Sequence, residues 1–128
     1  DNLNARDTLV GRMLPQPDVI DRRGDARKLD DVLGPGFALL AIAPAGAADL
    51  AALDHPVWAQ LDVNRVVLTK EGLSDDASAV RIDDGPLLHR FDKYAGRILL
   101  VRPDRYVAAA LTVTEANDIA DRLSDMMA

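Results

Sequence analysis

No cysteine occurs anywhere in the 128 residues. That absence removes disulfide staples, thiol nucleophiles, iron–sulfur clusters and thiolate zinc sites together. It also agrees with an intracellular, cytoplasmic protein. Aromatic residues are scarce at 4%, so a core must be built mainly from Leu, Val, Ile and Ala. Basic residues are in deficit: 15 Lys and Arg against 21 Asp and Glu give a net charge of −6. A phosphate backbone calls for a basic face, and only Arg22-Arg23 and Arg27-Lys28 stand close together, so nucleic acid is not an expected partner. No apolar run approaches the roughly 20 residues of a membrane-spanning helix, and no signal pattern opens the chain, so no membrane association is expected. What is present, 48% hydrophobic and 28% charged residues, suits one globular domain. At this length a domain buries roughly two-thirds of its unfolded surface without staples.

Residues 1–10 belong to a polar arm without periodicity that continues to Leu14 and reads as a linker from a preceding domain. The domain proper is expected over 11–128. Val19-Ile20 suits a short strand between Pro17 and the turn at Arg23-Gly24-Asp25. Lys28–Leu33 predicts one or two helical turns, ended by Gly34-Pro35-Gly36, where glycine supplies a positive φ and proline blocks continuation. Phe37–Ala43 is an unbroken apolar run, the pattern of a strand buried on both faces. Ala47–Leu53 predicts a helix, and a second starts at Pro56 and includes Val57, Trp58 and Leu61. Arg65–Thr69, Ala79–Ile82 and Arg97–Val101 predict strands, with a loop at Lys70–Asp76 and a helix at Leu87–Tyr94 closed by Gly96. Pro103-Asp104-Arg105 predicts a turn, and Tyr106–Ala110 the returning strand of a hairpin. Ala116, Ile119, Ala120, Leu123 and Met127 form one apolar stripe of a terminal helix. Thr112 or Thr114 caps it, and Thr112 with Glu115 has capping-box spacing.

Little in this pattern carries chemistry. His55 and His89 stand apart, without the spacing of a helical metal site. His55, directly before Pro56, reads as a helix-entry residue, and His89 as a half-exposed surface position. Asp30-Asp31, Asp75-Asp76 and Asp83-Asp84 are adjacent pairs whose side chains diverge, so they read as turn and cap residues rather than acid–base dyads. Ser74, Ser78 and Ser124 lack any nucleophile-elbow context. Pro35 removes a backbone donor from the only glycine-rich spot, and no dinucleotide-binding glycine motif or P-loop is present. Trp58, Tyr94 and Tyr106 are isolated aromatics that suit packing. No catalytic, cofactor-binding or metal-binding residue is expected in this chain.

The order of elements, with its late hairpin and last helix, resembles the thioredoxin fold: α/β, a central mixed β-sheet flanked by helices. The stretch matching that fold's reactive cysteine pair is Ala43-Pro44-Ala45-Gly46-Ala47, and Ala95-Gly96-Arg97 stands where the fold usually carries a cis-proline. Both departures imply a scaffold without redox function. Three segments sharpen the resemblance: Leu14–Pro17, Lys28–Leu40 and Leu100–Ala109. Together they resemble the C-terminal domain of the FAD-dependent aromatic hydroxylases, in particular the 3-(3-hydroxyphenyl)propionate hydroxylase-like branch, from Gly11 onward.

The resemblance implies a parent enzyme whose flavin is reduced by NADH or NADPH, activates dioxygen and hydroxylates a phenolic ring. Its FAD-binding and substrate domains would lie upstream in the same chain and be this domain's partners, with a homodimer left open. The residues that carry the resemblance, Leu29, Asp30, Gly34, Gly36, Arg102, Pro103, Asp104 and Tyr106, read as fold determinants. Arg102 is placed to pair with an acidic neighbour, while Pro103 and Asp104 fix the turn. The chain's start at Asp1 and its polar arm favour a piece of a longer polypeptide. The alternative is a stand-alone, redox-inactive thioredoxin-like binding protein, and an independent enzyme using Tyr94, Ser74 or Arg102 has no convergence of polar groups to recommend it.

Overall fold

The computed structural model describes residues 10–21, 23–43, 45, 47–69, 79–82 and 90–127. Among these the strands are β1 (Asp18–Ile20), β2 (Ala26–Lys28), β3 (Ala38–Ile42), β4 (Asn64–Thr69), β5 (Ala79–Ile82), β6 (Ile98–Val101) and β7 (Val107–Leu111). The helices are α1 (Leu29–Leu33), α2 (Ala47–Ala51), α3 (Pro56–Gln60) and α4 (Val113–Met127), and residues 90–92 are also helical. The seven strands form one sheet in the order β2-β1-β5-β4-β3-β6-β7. Strand β4 runs parallel to β3 and β5, and the other pairings are antiparallel. The sheet is thus mixed, and the β6–β7 hairpin leads into the last helix, as the sequence implies.

The expected doubly buried strand is β3, every residue of which is buried. Side chains alternate across a strand, so β3 feeds two cores. Leu40 and Ile42 pack with Leu29, Leu33, Val66, Leu68, Leu99, Phe91 and Tyr94 on one face. Leu39 and Ala41 pack with Leu53, Val57, Trp58, Val67, Leu100, Ala116 and Ala120 on the other. Trp58 and Tyr94 are therefore core residues. In α4 the two alanines of the stripe are fully buried, while Ile119 and Leu123 are partly covered. Small side chains there let the helix lie close to the sheet.

Caps follow the local chemistry. His55 accepts the Val57 N–H on Nδ1 at 3.1 Å as N-cap of α3, the helix-entry role expected of it. Its Nε2 lies 3.1 Å from Asp121 Oδ1, tying α3 to α4. Thr112, not Thr114, caps α4. Its hydroxyl accepts the Glu115 N–H at 3.2 Å, and the Glu115 carboxylate accepts the Thr112 N–H at 2.9 Å. That pair is the reciprocal capping box.

Two features depart from the expectation. Lys28 ends strand β2 rather than starting α1, because residues 26–28 fold back antiparallel on β1 around Asp21, whose carboxylate accepts the Arg23 and Asp25 N–H groups. Residues 10–14, expected to continue the arm, lie along the outer edge of β7 instead. Gly11 N–H donates to Val107 O (2.8 Å), Val107 N–H to Arg12 O (2.9 Å), and Leu14 N–H to Arg105 O (2.7 Å). Leu14 is buried. Asp75, Asp76, Asp83, Asp84, Ser74, Ser78, His89, the 70–76 loop and residues 1–9 of the arm lie outside the described residues.

The capping box generates a pH prediction. The Thr112 backbone N–H, then its hydroxyl, hold the Glu115 carboxyl below its ordinary value, with Arg97 adding to the effect. A carboxyl lowered by folding contributes stability that is complete above the unfolded value, near pH 4.3, and is lost as pH falls through the folded one. Glu115→Gln mimics the protonated form. Its melting temperature should fall below that of the native chain at neutral pH, and the gap should narrow as pH falls below the ordinary carboxyl range of about 4; a gap that stays the same size from neutral to strongly acid pH would contradict the cap.

Candidate functional site: an arginine clamp between the first helix and the hairpin turn

Helix α1 has five residues and ends at Gly34, whose φ is +77°. A helix this short leaves most of its carbonyl oxygens without an internal partner. Long-range donors supply them. Asn64 Nδ2 donates to Leu33 O at 2.6 Å. A Cβ at position 34 would run into that same Asn64 amide, so glycine is required there twice, once for φ and once for space.

The other donor comes from the opposite end of the fold. Arg105 Nε donates to Asp30 Oδ1 at 2.5 Å, its Nη2 donates to Gly34 O, and its Nη1 reaches Gly36 O at 3.4 Å. Arg105 and Asp30 lie 75 positions apart in the chain. Arg105 is only 13% exposed while Asp30 is 51% exposed, so the guanidinium is largely enclosed by its acceptors. A planar fork of five donors suits a set of oxygens spread over one loop; a lysine ammonium does not.

The turn that presents Arg105 is itself tied. Arg105 N–H donates to Arg102 O and Arg102 N–H to Tyr106 O, both at 2.9 Å. Asp104 accepts the Tyr106 N–H at 3.1 Å and pairs with Arg102 Nη2 at 2.6 Å, the acidic neighbour expected for Arg102. The Arg102 guanidinium lies 6.0 Å from the Tyr106 ring centre. Pro103 and Asp104 occupy the turn. Arg105 has φ of +71°, a region that costs a non-glycine residue roughly 1 kcal/mol or more.

The positions singled out in the sequence thus meet in one corner. Leu29 is buried below it, Asp30, Gly34 and Gly36 supply acceptors, and Arg102, Pro103, Asp104 and Tyr106 shape the turn. The residue that joins the two halves, Arg105, was not among them. It stood inside the third segment, but a contact over 75 positions leaves no periodic signal.

The corner offers little for reaction chemistry. Its guanidinium is engaged by oxygens of Asp30, Gly34 and Gly36. The Gly34–Gly36 loop does not fit a flavin or nicotinamide phosphate either: its carbonyl oxygens are turned to Arg105, and Pro35 has no N–H to offer. At the opposite end of the sheet, Ile42, Leu68, Thr69, Ile82 and Phe91 line an apolar recess of about 10 Å³, hardly the room of one water. Among the described residues no group of three or more His, Asp or Glu could hold a metal ion.

Two stability predictions follow from the clamp. Arg105→Ala should lower unfolding stability by about 2–3 kcal/mol, with Arg105→Lys recovering less than half of the loss; full recovery by lysine would show that charge alone matters. Gly34→Ala should cost about 2–3 kcal/mol, against about 1 kcal/mol for Gly24→Ala. Gly24 has a similar φ of +86° but nothing within 4 Å of an added Cβ, so equal losses in urea unfolding would remove the Asn64 collision from the account.

The family model of the HcaD C-terminal domain matches residues 11–126. A 3-(3-hydroxy-phenyl)propionate/3-hydroxycinnamic acid hydroxylase of Burkholderia cenocepacia is 38% identical over 110 residues, covering 78% of this chain and 20% of that protein. The chain therefore spans about a fifth of the length of the curated relatives it matches. Among solved structures, a thioredoxin-like protein from Bacteroides caccae superposes with a TM-score of 0.64 at 14% identity, over 90% of this chain and 49% of that one. The flavin-dependent monooxygenase PieE, solved with FAD and substrate, gives 0.63 at 20% identity, over 91% of this chain and 19% of that one. These likenesses establish a thioredoxin-like fold, and the family match over residues 11–126 places the chain in the HcaD C-terminal domain family.

Proposed function

We propose that the chain is the non-catalytic C-terminal domain of an FAD- and NAD(P)H-dependent monooxygenase that hydroxylates a phenolic compound. One observation carries this reading: a chain without cysteine matches about a fifth of hydroxylases several times its length, and does so in a family defined as a C-terminal domain. The flavin, the reductant and the aromatic substrate would be held upstream, in the roughly four-fifths of the relatives' length that this chain does not match. Residues 1–10 would link those domains to a unit of 11–128, and the parent would be cytoplasmic. No helix among the described residues is long and apolar enough to cross a membrane.

The role left to such a domain is mechanical. Two cores on one sheet give it stability of its own, and the residues of the clamp are fold determinants rather than contacts to flavin or substrate. The upstream FAD-binding and substrate domains of the same polypeptide are its partners, and a homodimer is compatible with this role.

The isolated 128-residue chain should be colourless after incubation with FAD and desalting, and should not oxidise NADH or NADPH. Deleting it from the parent should lower the parent's melting temperature or change its oligomeric state. A yellow isolated chain, or a truncated parent with unchanged stability, assembly and hydroxylation, would overturn the proposal.

A further inference from the structure

Four large apolar side chains are exposed among the described residues, and two of them, Met13 and Tyr106, share one face at a corner of the sheet. The four are Val10 at 38%, Met13 at 57%, Tyr106 at 40% and, near the end of α4, Met126 at 81%. Met13 stands opposite Tyr106 in an antiparallel bridge, and Val10 is bridged to the next residue, Val107. Directly opposed residues in such a bridge project from the same face. Arg102 lies over the Tyr106 ring. Methionine, tyrosine and arginine are the side chains enriched where protein surfaces meet.

This corner is also where the chain enters the domain. Backbone bonds from Gly11, Arg12 and Leu14 fasten the entry to Val107 and Arg105. Asp1 is nine residues from Val10, and nine residues span at most about 30 Å. A segment attached there meets the corner at an effective concentration on the order of millimolar. A small patch is then enough for docking, since most of the cost of association has already been met by the covalent link.

We propose that the Met13–Tyr106 corner is the surface on which the preceding part of the same polypeptide docks. The inference rests on the chain being the C-terminal domain of a longer protein. The occupant is an apolar surface of the upstream portion, laid against Met13 and the Tyr106 ring. A second copy of the chain is the competing occupant, but it would approach without the tether.

Methionine oxidation reads the corner directly, because a thioether is modified in proportion to its exposure. The native gene product and the 128-residue chain are treated with dilute peroxide, and Met13 and Met126 are followed by peptide mass spectrometry against an added methionine peptide. In the isolated chain both should oxidise at comparable rates. In the longer product Met13 should slow by about tenfold or more relative to the added peptide. A photo-crosslinker replacing Met13 should then join the corner to the upstream portion at monomer mass. Unchanged Met13 oxidation in a longer product overturns the docking surface while leaving the C-terminal-domain reading intact. Crosslinks at dimer mass assign the corner to a second copy and overturn it likewise. A native product no longer than this chain removes the domain reading itself, and the docking proposal with it.

Discussion

A single guanidinium closes the fold. Arg105 sits in the tight connection between β6 and β7, yet its donors are spent on the Asp30 carboxylate in the first turn of α1 and on Gly34 and Gly36 just past its end. The hairpin turn, the α1 terminus and the edge strand that carries residues 10–14 are thereby held in one geometry. The helix needs this help because five residues cannot satisfy their own carbonyl oxygens, and a helix of that length is not stable alone. The turn needs it because Arg105 adopts a backbone conformation unfavourable to any side chain. Each half is marginal, and the contact between them makes both tenable.

Around this corner the molecule has a thioredoxin-like sheet. The C-terminal ends of β3, β4 and β5 surround a small apolar recess, and no sulfur nucleophile exists in the chain to occupy the place of a cysteine pair. Two apolar layers remain, fed by alternate residues of β3. Such a scaffold is held together by packing on both faces of the sheet. That is consistent with a unit found within proteins about five times its length.

Much of the architecture was legible because it is local. Phe37–Ala43 announces a strand with no wet face, Thr112 and Glu115 announce a capped helix, and His55-Pro56 announces a helix start. Each is decided by neighbours within a few residues. The rest depends on distant partners. Residues 10–14 show no alternation because only backbone bonds to Arg105 and Val107 fasten them and Leu14 alone among them is buried. Strand β2 is three fully exposed residues, so no apolar period marks it. Gly34 was readable as a helix stop, but its close approach to Asn64 was not. The clamp was the hardest case, since an arginine beside a turn looks like any solvated surface residue until the chain is folded.

The central claim is that Arg105 is locked by its acceptors in the folded domain. The hydrogen exchange of its Nε–H, followed by nitrogen-edited NMR of the chain, tests it most directly. A locked side chain gives a resolved Nε–H resonance that exchanges far more slowly than those of the exposed arginines Arg23 and Arg122 and collapses into their range in Asp30→Asn. An Arg105 Nε–H that exchanges as fast as theirs in the native chain would contradict the account.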